Sequence, residues 1–494
     1  MYNFKFFKQR RKRGGNEREP SVVASLIPLL ALIVMLYMVI SIFGSESMDG
    51  GNQIALLTST AVAVAISVGI YGGKWSRIEE AMVENIKIST PAIIILLLIG
   101  ALSGTWMVSG VVPTMIYYGL QILDPNIFLV SASVICAIVS LITGSSWTTI
   151  ATIGVALMGV GSAQGFSEGW IAGAIISGAY FGDKLSMLSD TTIMASTTVG
   201  VKLFDHIRYM LITTIPAFCI ALLIFLVAGF VISSDSAITV GCYSSALKES
   251  FHISGWLLIV PLLTGVMIVK RLPAMITLFV SALMASIAML LTQPQIMAEI
   301  AGVPLHELCA VDKFKAVVMS CYGATSITTS SEAVTQLVAT RGMEGMLITI
   351  WLIICAMCFG GVMMGSGMLQ RITTLLSKYA RKTNTIVGST LIGGMLFNLS
   401  TADQYISIIL TGRLFKGLYE KQGLEPRLLS RSVEDSASVG SVLVPWNSCG
   451  MTQAAVLGVS TWSYLPYCFF NLASPIVSFI VATIGYKIVR KKQK

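Results

Sequence analysis

The sequence predicts an all-α polytopic membrane protein of about 12–14 spans, built as two inverted-topology repeats with re-entrant hairpins and interrupted helices. Of its 494 residues, 55% are hydrophobic and only 12% are charged, against about 25% charged in soluble proteins. Apolar runs of the ~17–25 residues that a helix needs to cross a bilayer recur from Val22 almost to the C-terminus, leaving no room for a separate soluble domain. Polar stretches rich in glycine and hydroxyls interrupt these runs in both halves.

In order, residues 1–20 form a basic tail with Lys5, Lys8, Arg10, Arg11, Lys12 and Arg13, which the positive-inside rule places in the cytoplasm. Val22–Phe43 is too long for a signal-peptide core and has no small-residue cleavage site, so it reads as a span. The loop after it holds Glu46 and Asp49, and Ile54–Gly72 returns. Lys74–Lys87 places Trp75, Ile78, Met82 and Ile86 at helical spacing among mixed charges, the pattern of an amphipathic helix on the cytoplasmic surface. Pro91–Ser109 and Ile127–Thr143 are spans. Gly144–Thr149 (GSSWTT) is an unsuitable lipid-facing helix, so it reads as a re-entrant tip buried in protein or beside water. Trp170–Val199, Tyr209–Val231, Trp256–Val269 and Leu272–Leu291 follow, then a long mixed connection at 292–344. Met346–Leu369, Thr385–Leu399 and Tyr464–Ile488 complete the spans, with basic loops at Arg371, Lys378, Arg381 and Lys382 and at Arg413, Lys416, Lys421 and Arg427.

The net charge of +9 sits mostly at the two ends and in these loops, where membrane orientation explains it and nucleic-acid binding is not implied. Both termini are expected in the cytoplasm of a plasma-membrane protein. The nine cysteines are scattered without CxxC spacing and read as small buried hydrophobes. Expected partners are membrane lipid and small ions; a small organic anion and a homodimer are left open.

A shift of about 250–260 residues brings the halves into rough register: TGSSWTT faces LSTADQY, Asp183 faces the Glu434–Asp435 stretch, and Pro216 faces Pro475. The first unit's matching span ends in a loop without Lys or Arg, the second's in a strongly basic one, so the units read as inverted. Residues 21–240 form the first repeat, 241–489 the second, and 490–494 a basic cytoplasmic tail.

The candidate site follows from polarity at membrane depth. Charged groups there cost at least ~2.5–3.5 kcal/mol and are functional by default. The acids are Asp183, Asp190, Asp403, Glu434 and Asp435. If the first stretch stays helical, Asp183, Ser186 and Asp190 share one face. Supporting oxygen ligands are Ser145, Ser146, Thr148, Ser189, Thr191, Ser400, Thr401, Ser436 and Asn447, and helix breaks are expected at Gly144, Gly182, Gly440 and Pro445. Carboxylates, hydroxyls and freed carbonyls suit Na⁺, a hard cation, and the same acids take protons, so one cluster can exchange the two. Lone membrane Ser and Thr residues more often bond their own backbone, and each acid has a structural ion pair as its alternative, with Lys184 or Arg431. Arg413 and Arg431 read as cytoplasmic-end charges and His206 as a loop residue. No resident cofactor and no metal other than transported Na⁺ are expected.

GAYFGDKLSMLSDTT at 178–192, STADQY at 400–405, LLSRSVEDSASVGSVLVPWNSCG at 428–450 and LGVSTWSYLPYCFFN at 457–471 resemble the NhaC-type sodium/proton antiporters, a family that includes sodium-linked malate/lactate antiporters. The resemblance covers residues 22–488. It implies an antiporter, not an enzyme, exchanging Na⁺ for H⁺ by alternating access; the alternative is Na⁺/H⁺-coupled exchange of an organic acid or amino acid. It points to Asp183, Ser189, Asp190 and Thr191 in one half and Asp403, Glu434, Asp435, Pro445 and Asn447 in the other. Met187 stands where the family has Pro, and Ile193 and Met194 replace an Asn-Leu pair. The first change is expected to weaken the helix break, and the second removes an amide ligand.

Overall fold

A computed structural model describes residues 18–43, 49–232, 237–380 and 382–488. The basic cluster from Lys5 to Arg13, Glu46, Arg381 and the tail from residue 489 lie outside these. The described residues are almost entirely helical, with one isolated antiparallel bridge between Thr325 and Thr340. The helices that build the site are α1 (Val22–Phe43), α2 (Gly51–Val64), α3 (Trp75–Val108), α4 (Phe128–Thr143), α5 (Ser146–Ala163), α6 (Glu168–Leu185), α7 (Asp190–Val199), α8 (Leu203–Ile232), α9 (Ala274–Thr292), α10 (Glu344–Gly365), α11 (Thr383–Thr401), α12 (Gln404–Lys421), α13 (Pro426–Val433), α14 (Ser448–Leu457) and α15 (Phe469–Ile484).

Among the described residues, eight helices are long and apolar enough to cross a membrane, or up to ten if two bent pairs each form one span. The expected count of 12–14 is not reached by apolar helices alone: α6, α11 and α12 have 18, 19 and 18 residues but carry glycines, hydroxyls and, in α6 and α12, charges.

The reading of Lys74–Lys87 as a separate surface helix is corrected. Trp75 to Val108 is one 34-residue helix with Pro91 inside it. At 1.5 Å per residue it outruns a hydrocarbon core of ~30 Å. Its N-terminal part is held by α10, because Gly361 and Gly365 let the backbones meet: a Cβ at Gly361 would stand 2.5 Å from Met82 Cα. Asn85 then reaches across and donates to the carbonyl of Met357 at 2.8 Å. The long connection at 292–344 contains three further helices, Pro294–Ala301, Ala310–Tyr322 and Glu332–Val338. Cys136, Cys355, Cys449 and Cys468 are buried as expected, but Cys219, Cys242 and Cys309 are exposed.

Backbone punctuation recurs in the two halves at one constant offset, the step from Gly144 to Ala402. Left-handed Gly144 (φ 70°) ends α4 and left-handed Ala402 (φ 58°) ends α11. The next residue, Ser145 or Asp403, caps the following helix, so each hairpin tip is only two residues long. At the same offset, Gly165 and Gly423 have φ 83° and 65°. Ser189 and Asn447, again in register, cap α7 and α14, which Gly200 and Gly458 close at φ 87° and 70°.

Candidate ion-binding site

In the first half, a helix break brings the acid to the hairpin tip. The helix α6 ends at Leu185, residues 186–189 are non-helical, and Ser189 caps the start of α7 by accepting from the Thr192 amide at 3.3 Å. The break forms although Met187 replaces Pro, so the missing proline does not leave the helix continuous. Asp183, Ser186 and Asp190 therefore do not share one helical face. Asp183 Oδ2 instead accepts the Ser146 amide at 3.1 Å and the Ser146 hydroxyl at 2.7 Å. It sits at the amino end of α5, where the helix dipole favours negative charge. Asp183 is 8% exposed, whereas Asp190 is exposed at the first position of α7.

The second half repeats the tip with its groups exchanged. Asp403 Oδ1 accepts the Ile406 amide at 3.0 Å, and Oδ2 accepts the Ser448 hydroxyl at 3.3 Å. Under the offset that relates the two tips, Asp403 falls on Ser145 and Ser448 on Asp190. Each half thus places one carboxylate and one hydroxyl at these two positions, in opposite order. Asn447 joins its break to the hairpin: Oδ1 accepts the Cys449 amide at 3.1 Å and Nδ2 donates to Asn398 at 3.3 Å. Tyr405 stands within electrostatic reach of Asp183, Asp190 and Asp403, a neighbour that sequence reasoning missed.

Glu434 and Asp435 open a π-helical turn, Glu434–Ser438, the kind of helix irregularity that recurs at functional sites. Both are fully buried, but their surroundings differ. Asp435 is paired with Lys184 and accepts hydroxyls from Ser474 at 3.1 Å and Thr213 at 3.0 Å. Lys184 Nζ also donates to Ser474 Oγ at 3.1 Å. Thr213 lies three residues before Pro216, and Ser474 directly before Pro475. Neither carboxyl oxygen of Glu434 has a well-formed hydrogen bond among the described residues, and the Ser438 hydroxyl stands within interaction range of it. No basic side chain lies within salt-bridge distance of Asp183, Asp403 or Glu434 there.

Two sequence readings are overturned beside this cluster. Arg431 is fully buried, with Nε 3.8 Å from Asp435 Oδ2 and its guanidinium over the Tyr209 ring at 4.8 Å. The i, i+4 spacing to Asp435 was the available signal. His206 lies within α8, fully buried, with Nδ1 2.8 Å from Ser430 Oγ.

The remaining residues divide between tip and packing. Ser145 accepts from the Thr148 amide at 3.2 Å and pairs with its hydroxyl at 3.1 Å, and Thr191 pairs with Ser189 at 2.9 Å. Thr401 accepts from the Asp403 amide at 3.4 Å and pairs with Ser407 at 3.0 Å. Ser400 and Ser436 donate to carbonyls of their own helices, at 2.6 and 2.7 Å, and are turned to packing. Gly144 breaks its helix, Gly440 lies in the turn after the π-helix, and Pro445 in the break before α14. Gly182 does not break α6. A Cβ there would stand 2.2 Å from the Ala137 carbonyl, so it permits a close helix crossing.

The chain is similar in sequence to known proteins. A profile of the Na⁺/H⁺ antiporter family matches residues 178–486. The chain is 34% identical to the Na(+)/H(+) antiporter NhaC of Bacillus subtilis, over 84% of this chain and 88% of that one. It is also 34% identical to the malate-2H(+)/Na(+)-lactate antiporter of the same organism, over 93% and 94% of the two chains. Identity to the arginine/ornithine antiporter ArcD of Halobacterium salinarum is 31%, over 96% and 94%. With the buried tips, the interrupted helices and these relatives together, the chain belongs to the Na⁺/H⁺ antiporter family and is a multi-pass membrane protein.

Proposed function

We propose that this protein exchanges Na⁺ for H⁺ across the plasma membrane, with both termini in the cytoplasm. The observation that carries this reading is the unequal matching of buried charge. Lys184 pairs with Asp435 and also lies within electrostatic reach of Glu434, while Asp183 and Asp403 are buried without a basic partner among the described residues. A carboxylate in low dielectric needs a compensating cation. Na⁺ or H⁺ supplies it, and the two replace one another at the same oxygens. Ser146 and Ser448 complete the oxygen set around Asp183 and Asp403. The relatives named as Na(+)/H(+) antiporters support the same exchange.

The constant offset between caps and breaks supports two repeats, and the opposite loop charges support their inversion. Rocking of one unit against the other would then expose the tips alternately. Purified protein in vesicles, given an outward Na⁺ gradient, is expected to acidify the lumen as Na⁺ leaves, and Asp183→Asn to abolish this. Normal exchange by the variant would remove Asp183 from the site.

A second reading, coupled exchange of an organic acid or amino acid, is favoured by Arg431. Its two Nη atoms lack hydrogen-bond partners among the described residues, an edge that suits a carboxylate, while its Nε faces Asp435 Oδ2 at 3.8 Å. The relatives named for malate/lactate and arginine/ornithine exchange are consistent with it. A Na⁺-dependent pH change that appears only after a carboxylate or amino acid is added would favour this reading over simple exchange.

A further inference from the structure

A basic cleft lies where three spans end: the C-terminal end of Gly51–Ile70, the N-terminal end of α3 and the C-terminal end of α10. It is open to solvent and lined by Arg18, Ser67, Tyr71, Lys74, Arg77 and Ser366 among others. The chain entering α1 is tied to it, because the Arg18 amide donates to the Tyr71 carbonyl and the Ser21 amide to the Tyr71 hydroxyl, both at 3.1 Å. Gly73 closes the turn on the other side. Its amide donates to the Ser67 carbonyl at 2.9 Å, and a Cβ there would stand 2.7 Å from Ser67 Oγ.

We propose that this cleft binds a phosphate group, supplied by the headgroup of an anionic phospholipid or by free phosphate. Three kinds of donor converge on it. Arg18, Lys74 and Arg77 bring positive charge, and Ser67 and Tyr71 bring hydroxyls, while the Ser366 hydroxyl donates to the Met363 carbonyl at 3.3 Å. The 34-residue α3 begins at the cleft with Lys74 at its N-cap and no side-chain cap, so its positive dipole end is open to an anion. The charged residues that line the cleft are all basic, whereas Glu19 faces Arg371 at 4.0 Å and Glu79 and Glu80 are exposed one turn into α3.

The level of the cleft suits a lipid. The 34-residue α3 outruns the hydrocarbon, so its charged first turns and the cleft lie on the headgroup side, where Trp75, 50% exposed, suits an interfacial aromatic. Basic residues at this depth attract anionic headgroups.

The test uses the full chain in lipid nanodiscs, of phosphatidylcholine alone or with phosphatidylglycerol, with bound lipid counted by native mass spectrometry. Wild type should retain phosphatidylglycerol preferentially. Arg18→Gln, Lys74→Gln and Arg77→Gln should each weaken that retention roughly fivefold, with unchanged melting in phosphatidylcholine. Displacement of the lipid by inorganic phosphate would identify a soluble phosphate as the ligand, and failure to displace it would identify the lipid. Equal retention of both lipids by wild type, with no binding of inorganic phosphate, would overturn the proposal. So would undiminished retention in the triple variant, leaving the basic groups as orienting charges at helix ends.

Discussion

Ser140 and Asn398 occupy equivalent positions in the two halves and make the same bond. Ser140 Oγ donates to the Ala179 carbonyl at 2.6 Å, and Asn398 Nδ2 donates to the Ala437 carbonyl at 2.9 Å. Ala179 and Ala437 are themselves equivalent under the offset that takes Ser140 to Asn398. Each bond ties the first arm of a hairpin to the interrupted helix beside it. Ser140→Ala should lower stability by about 1 kcal/mol, the net worth of one buried hydrogen bond. Asn398→Ala should lower it further, because Asn447 also bonds to Asn398. Thermal unfolding in detergent checks both; equal, negligible effects would mean these bonds do not hold the hairpins.

Lys184 and Asp435 join the two halves in the interior. Removing Asp435 strands both Lys184 and Arg431, at about 3–5 kcal/mol for a buried pair, whereas Asp435 without Lys184 keeps Arg431 at 3.8 Å. Asp435→Asn should therefore destabilise more than Lys184→Met, and the double variant should recover part of the loss. A double variant as unstable as the sum of the two would show that the groups do not interact.

Close helix crossing in the first half depends on two glycines one turn apart. A Cβ at Gly178 would stand 2.0 Å from the Ser133 carbonyl, and one at Gly182 2.2 Å from that of Ala137. Gly178→Ala should force α4 from α6 and cost about 1–3 kcal/mol. Gly165→Ala, at an open position with φ 83°, should cost about 1 kcal/mol through backbone strain alone. Denaturation midpoints of the two variants separate these causes.

At the tip, Ser146→Ala removes one of the two bonds to Asp183 and keeps the amide. Exchange should survive with Na⁺ half-saturation raised roughly fivefold, the equivalent of about 1 kcal/mol. Unchanged half-saturation would mean that the hydroxyl only holds the hairpin.

Much of the site was legible without coordinates, because burying an acid in a membrane is costly and such residues stand out in an apolar chain. Asp183, Asp190, Asp403, Glu434 and Asp435 stand out this way, although Asp190 is exposed; GSSWTT marked one hairpin tip through its unsuitability for lipid, and STADQY the other as its counterpart in the second half. Packing decided the rest. Arg431 and His206 look like charges at a span's end, and only the stacking of Tyr209 and the position of Ser430 place them inside. The register between the two halves also needed the fold: apolar sequence matches itself at many offsets, whereas a left-handed residue followed by a helix cap recurs at one. Composition and periodicity therefore determined the class of protein and the residue types at its centre. Tertiary structure decided which acid has its own cation, because pairing Lys184 with Asp435 depends on contact between segments 251 residues apart, which no local pattern encodes.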